Sequence, residues 1–273
     1  MNRRTIGALT LSGALALGAC GSATTAEPGA GPDATSSTSA PAEAEGASAK
    51  VGDVVDLKEL SVLSAAAVEA KGTAHLTQET AGEGALEGQV DYSQPSPRLA
   101  MSIEDADGPF RMILVDATLY LGGPDAADAD PEKPWLKLDP TANDEFSAMF
   151  APLVAEMESA MANPAEALAA DVVREGTVTA VDVDSTTYQV VLTKAQLEQT
   201  LKAATKGLPG ITETSVATLP ETLTYTFSLT RDHLPLVVVV DLPDGAVTTT
   251  YSKWGEPVDI EAPPAELVDT PTA

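Results

Sequence analysis

The chain has 273 residues, with 41 Asp and Glu against 15 Lys and Arg, a formal net charge of −26 and one cysteine. That balance argues against nucleic acid, whose affinity is carried by Lys and Arg on phosphates, and against adhesion of a basic patch to anionic headgroups. Aromatic residues make up 4% of the chain, too few for a sugar-stacking platform.

The start is the most specific segment. Asn2, Arg3 and Arg4 precede an uncharged run, Thr5 to Ala19, that closes as Leu17-Gly18-Ala19-Cys20. A basic start, a short apolar stretch and small residues before a cut make a secretory signal, too short for a stop-transfer helix. A cysteine directly after the small residues makes it a lipoprotein signal. Residues 1–19 are the expected signal peptide. Cys20 is the expected lipidation site, acylated through diacylglycerol on its sulfur and placed at the mature N-terminus. The expected location is the cell membrane, lipid-anchored on its extracytoplasmic face. A lipidated Cys20 leaves no thiol for catalysis, zinc or a disulfide, and cleavage removes Arg3 and Arg4, making the chain still more acidic.

Gly21 to Ala49 has no aromatic and no large aliphatic residue. Such a segment cannot bury enough apolar surface to offset the entropy of ordering, so residues 20–49 read as the lipidated cysteine and a disordered tether. A flexible coil of ~29 residues spans roughly 30 Å. Residues 50–273 form the expected folded domain, with a short flexible C-terminal tail; a domain of ~200 residues can bury about 70% of its unfolded surface.

The domain opens with a predicted helix, Leu57 to Ala70, on the spacing of Leu60, Leu63, Ala67 and Ala70, stopped by Gly72. Thr73–Thr80, Ala85–Tyr92, Arg98–Glu104 and Phe110–Val115 then alternate partially between turn signals and read as an antiparallel meander. Thr118–Leu121 and Trp135–Leu138 continue it across an acidic loop. A helical block from Asp144 to Ala170 follows, broken at Asn163-Pro164. Strands return at Val172–Val183 and Thr186–Leu192, Lys194–Lys206 reads as a helix ended by Gly207, and Thr222–Leu229, Leu236–Asp241 and Ala246–Tyr251 close the chain. Strand runs around interposed helices give an α+β class, with helices on one face or end of an antiparallel sheet.

Residue types suited to catalysis are not assembled into any motif. His75 falls in a strand run and His233 in the turn Arg231 to Pro235, with neither in a ligand pair. No GxSxG elbow, GxxxxGK[ST] loop, GxGxxG or complete acidic calcium loop occurs. The chain reads as a non-enzyme without cofactor or metal. The informative apolar element is the stripe Phe146, Met149, Phe150, Leu153, Val154, Met157 and Met161, at steps of three and four residues. Methionine fills irregular space and repacks around different guests; core packing and a ligand wall are both open readings of this stripe. The run Leu236 to Val240 is apolar on both faces.

The closing stretch Tyr251-Ser-Lys-Trp-Gly-Glu-Pro-Val-Asp-Ile-Glu-Ala-Pro-Pro264 resembles the end of the LppX/LprG-type lipoproteins of actinobacteria. Gly72-Thr-Ala-His-Leu76, Ala85 to Tyr92, Thr118 to Leu121 before Pro134 to Asp139, and Asn163-Pro164 before Gly176-Thr-Val178 agree with that family in order. The resemblance covers roughly Leu57 to Val268. It implies a curved antiparallel half-barrel with helices over its concave face, similar to the LolA/LolB-like periplasmic carriers, enclosing an apolar cavity. It further implies a monomer that binds acylated lipid or lipoglycan and carries it within the envelope, with a membrane exporter as partner. On that resemblance Phe146, Met149, Phe150, Leu153, Val154 and Met157 form the helical cavity wall. Val237 and Val239, or their alternates Leu236, Val238 and Val240, face them from the sheet, since a one-residue register shift exchanges the two sets. The alternative is an envelope interaction or sensor module of the same fold, recruiting a protein partner through its acidic surface.

Overall fold

The computed structural model describes residues 49–80, 85–94, 96–105, 108–124, 132–141, positions 151, 154, 155 and 157, and residues 173–204, 219–243 and 245–270. A short strand β1 (Val54–Asp56) runs directly into helix α1 (Leu57–Lys71). The Asp56 carboxylate caps the helix, accepting from the backbone N–H of Lys58 at 2.8 Å and of Glu59 at 3.2 Å. Gly72 ends it at φ 77°, its N–H donating to the Val68 carbonyl at 2.8 Å. The buried stripe of α1 differs from the expected one. Leu57, Leu60, Ser61, Ser64 and Val68 are buried, whereas Leu63 is 43% exposed. Ser61 is accommodated because its hydroxyl donates to the Lys58 carbonyl at 2.8 Å.

Five strands follow as a meander: β2 (Thr73–Thr80), β3 (Leu86–Asp91), β4 (Arg98–Asp105), β5 (Gly108–Val115) and β6 (Thr118–Gly122), with β7 (Trp135–Leu138) beyond the acidic loop. After the region containing Val154 and Met157, both helical, come β8 (Glu175–Val181), β9 (Ser185–Thr193) and helix α2 (Lys194–Ala204). The chain closes through β10 (Thr222–Thr230), β11 (Pro235–Leu242), β12 (Gly245–Ser252) and a two-residue β13 (Val268–Asp269). Nearly every predicted element is present; the short β1 and β13 were not expected. Of the predicted block 144–170, only positions 151, 154, 155 and 157 lie among the described residues.

All thirteen strands join one sheet in the order β1-β8-β9-β10-β11-β12-β2-β3-β4-β5-β6-β7-β13. The sheet is curved and unclosed, and antiparallel except where β13 meets β7. Pairing of β12 with β2 joins the last hairpins to the first and makes one surface of what the sequence presents as separate meanders. The edge strands are three and two residues long, which leaves little unpaired backbone for another chain to extend.

The register places one apolar face across the sheet. Tyr225 lies opposite Val190 and Val240, Val240 opposite Val247, and on the far side Val90 opposite Ala74 and Leu99, and Leu114 opposite Leu99 and Leu119. Two buried clusters occupy this face. The first joins Leu57 and Leu60 of α1 and Leu197 of α2 to Val178, Tyr188, Val190, Leu192, Leu223, Phe227 and their neighbours on β8–β11. The second joins Val154 and Met157 to Ala74, Val90, Leu99, Leu114, Leu119 and Leu138 on β2–β7. Helical side chains thus cover the same face at both ends of the sheet.

Candidate functional site

Each predicted site residue has a definite standing in this frame. Cys20, Phe146, Met149, Phe150, Leu153 and Met161 lie outside the described residues. Val154 and Met157 are buried at 1% and 3% exposure in the second cluster. The register separates the two alternative sets on β11. Val238 and Val240 lie opposite Phe227 and Tyr225 and belong to the first cluster or pack against it. Val237 and Val239 lie opposite Ser228 and Thr226, and opposite Thr250 and Thr248, on the other face. Of the alternate set, Val238 and Val240 lie on the packed face, while Leu236 falls at the register shift and has no partner on β10. The β10 and β12 pairings assign these faces, and neither pairing is written in a run of valines.

Between the two clusters runs a seam. Strand β12 contributes to neither, and on the packed face it presents Val247, Thr249 and Tyr251. Thr249 lies opposite Val238 on one side and Gln78 on the other, while Tyr251 lies opposite Leu76. Leu76 leans away from the seam over Gly88, where a Cβ would come within 2.9 Å of its Cδ1. A polar patch is thereby set into an otherwise apolar face.

Three aromatic rings stand beside it. Trp254 stacks on Tyr251 at a centroid distance of 5.8 Å and on Tyr92 at 6.2 Å, the rings within 20° of parallel. Lys253, at φ 51°, turns the chain so that the indole folds back, and its Nε1–H donates to the Pro235 carbonyl at 2.9 Å. Burial pushes the phenols of Tyr92 and Tyr251 up, and the Tyr251 phenol raises that of Tyr92 further. The sequence marks Tyr251 and Trp254 only as part of the closing stretch and offers no sign that Tyr92 joins them. The gathering is not legible there because Tyr92 and Trp254 are brought together only by the β12–β2–β3 pairings.

Chemically the face offers contact area and hydroxyl or amide groups. His75 lies opposite Gln89 and Ser252, on the side away from the clusters, and His233 sits in a turn at φ 64°. Among the described residues no group of three or more His, Cys, Asp or Glu is placed to hold a metal ion. No helix among them is long and apolar enough to cross a membrane.

No family model matches the chain, and no curated protein matches it. Among solved structures it is similar to LprF from Mycobacterium bovis, at 12% identity over 76% of this chain and 96% of that one, with a TM-score of 0.44. It is also similar to the Mycobacterium tuberculosis lipoprotein LppX, at 14% identity over 75% of this chain and 98% of that one, with a TM-score of 0.45. Both are mycobacterial lipoproteins of the LppX/LprG type that the closing stretch of the sequence resembles.

Proposed function

We propose that this chain is a membrane-anchored, extracytoplasmic lipoprotein that binds acylated lipid or lipoglycan on the packed face of its sheet and carries it within the cell envelope, without catalysis. The observation that carries the reading is the conjunction of the Leu17-Gly18-Ala19-Cys20 signal with a sheet face that carries an apolar cluster at each end, on β8–β11 and on β2–β7. In this reading the helices cover a concave side and enclose an apolar space between them and β12. Moving an acyl chain from bilayer to such a space exchanges one hydrocarbon surrounding for another. The ~0.8 kcal/mol per methylene that keeps lipid out of water largely cancels. A carrier therefore needs an apolar surface, an opening and proximity to the bilayer, and little charged chemistry. A diacylglyceryl group on Cys20 supplies the proximity; two acyl chains hold stably where one binds only marginally.

The test is native mass spectrometry of the full chain purified without denaturant, followed by delipidation and titration with a fluorescent fatty-acid probe. Copurified acyl lipid and saturable uptake are expected. A protein that carries no lipid and takes up no probe would overturn the reading and leave an envelope module that recruits a protein partner. Binding to that partner should then weaken steeply with salt.

A further inference from the structure

We propose that the seam between the two clusters is a subsite for the neutral, oxygen-rich linkage of an acylated lipid, with Thr249, Gln78, Tyr251 and Tyr92 as its hydrogen-bonding groups. The proposal rests on the lipid-carrier reading and names the part of the ligand that the apolar clusters leave unexplained.

The four side chains share one face. Thr249 and Gln78 are a cross-strand pair, Tyr251 is two residues beyond Thr249 on β12, and Tyr92 joins Tyr251 through the Trp254 stack. Thr249 is only 7% exposed. Yet none of the four side chains has a hydrogen-bond partner among the described residues, and none of their polar atoms is sealed in, the one sealed orphan being Arg98 Nε on the other face. Polar groups set into an apolar face normally bond to one another or to backbone, because leaving them unmade is costly. Here, among the described residues, they do neither.

Donor type and charge narrow the occupant. Hydroxyls and a carboxamide donate to ester carbonyl oxygens, which are much stronger acceptors than ether oxygens. On this face β9, β10, β11, β12, β2 and β3 carry no charged residue, so no cation awaits a phosphate. In a chain of net charge −26, an anionic headgroup is repelled as well. Ester carbonyls joining two acyl chains fit: the chains lie on the flanking clusters and the esters cross the seam.

Trp254 is a reporter already in place, since only Trp135 must be removed to isolate it. The Trp135 ring lies over Gly122 on the opposite face. The experiment uses the full chain with Cys20→Ala and Trp135→Phe, delipidated and titrated with a neutral diacylglycerol, its dialkyl ether analogue and a chain-matched phosphatidic acid. We expect the diacylglycerol to shift Trp254 emission and bind most tightly. Tyr251→Phe, Thr249→Val and Gln78→Leu should each weaken it by roughly two- to ten-fold, the loss of one neutral hydrogen bond, and should leave the ether analogue nearly unchanged. Circular dichroism identifies any variant that fails to fold, and the remaining two then decide. Equal affinity for ester and ether, or preference for the phosphatidic acid, overturns the subsite while leaving the carrier reading intact. Binding of none of the three overturns both.

Discussion

At the scale of single residues, close approach decides more than chemistry. Gly176 lies on the packed face opposite Val55, and a Cβ there would come within 2.8 Å of Leu57 Cδ2. Leu57 is 1% exposed and has little room to yield. Gly176→Ala should therefore destabilise the fold by about 1–3 kcal/mol, the usual cost of overpacking. A lower urea midpoint with unchanged slope is the expected measurement; an unshifted midpoint would show that Leu57 relaxes freely. Residues of this kind are only half legible from sequence. Gly176 belongs to the Gly-Thr-Val segment quoted in the resemblance, but nothing in that segment says which side chain lies over it. Val237 and Val239 show the same limit: both neighbours in a run of valines look equally apolar, and the strand pairing alone assigns the faces.

Elements were far more legible, because their signals are local. The 3.6-residue period with a glycine stop marks α1, and alternation between turn signals marks β2 to β6 and β10 to β12. Asp56 was not singled out, although its carboxylate bonds two of the first free N–H groups of α1. Asp56→Ala should lower stability by ~1 kcal/mol, while Asp56→Asn or Asp56→Ser should retain most of it. Thermal melts of the three variants check this, and equal melting for all would remove the cap from the account. Strands β1 and β13 escaped detection because three and two residues are too few to show a period. Both exist through pairing, β1 with β8 and β13 with β7. The exposed Leu63 is a further case: it fits the helical period, but the packing angle of α1 turns the neighbouring Leu60–Ser61–Ser64 stripe to the sheet.

At the scale of the molecule, the packed face gathers four of the five tyrosines: Tyr92, Tyr188, Tyr225 and Tyr251. Burial raises all four phenols, pushing Tyr225 up to about 12 from an ordinary 10.0. In the unfolded chain these phenols ionise first, so their contribution to stability is complete below pH 10.0 and falls as pH rises, that of Tyr225 being lost as pH climbs through about 12. Alkaline melts followed at 295 nm should show cooperative unfolding coupled to tyrosinate formation. Smooth tyrosine titration in a still-folded protein would contradict it. The proposed anchor at Cys20 acts at the same scale. Cys20→Ala should fold and take up lipid in solution with unchanged affinity yet fail to act at the membrane. Full function in cells from the unanchored variant would reduce Cys20 to an address.

By itself the sequence determined the acidic composition, the Leu17-Gly18-Ala19-Cys20 pattern on which the proposed anchor rests, and most element positions, since each rests on composition or on spacing within a few residues. The tertiary structure decided what those elements build. The β12–β2 pairing joins residues about 170 positions apart into one sheet. It places β12 as the seam between two clusters and draws Tyr92, Tyr251 and Trp254 together, while the β10 pairing sets the faces of β11. Local signals act over a turn or a hairpin, whereas register between distant strands emerges only when the whole apolar face is buried at once.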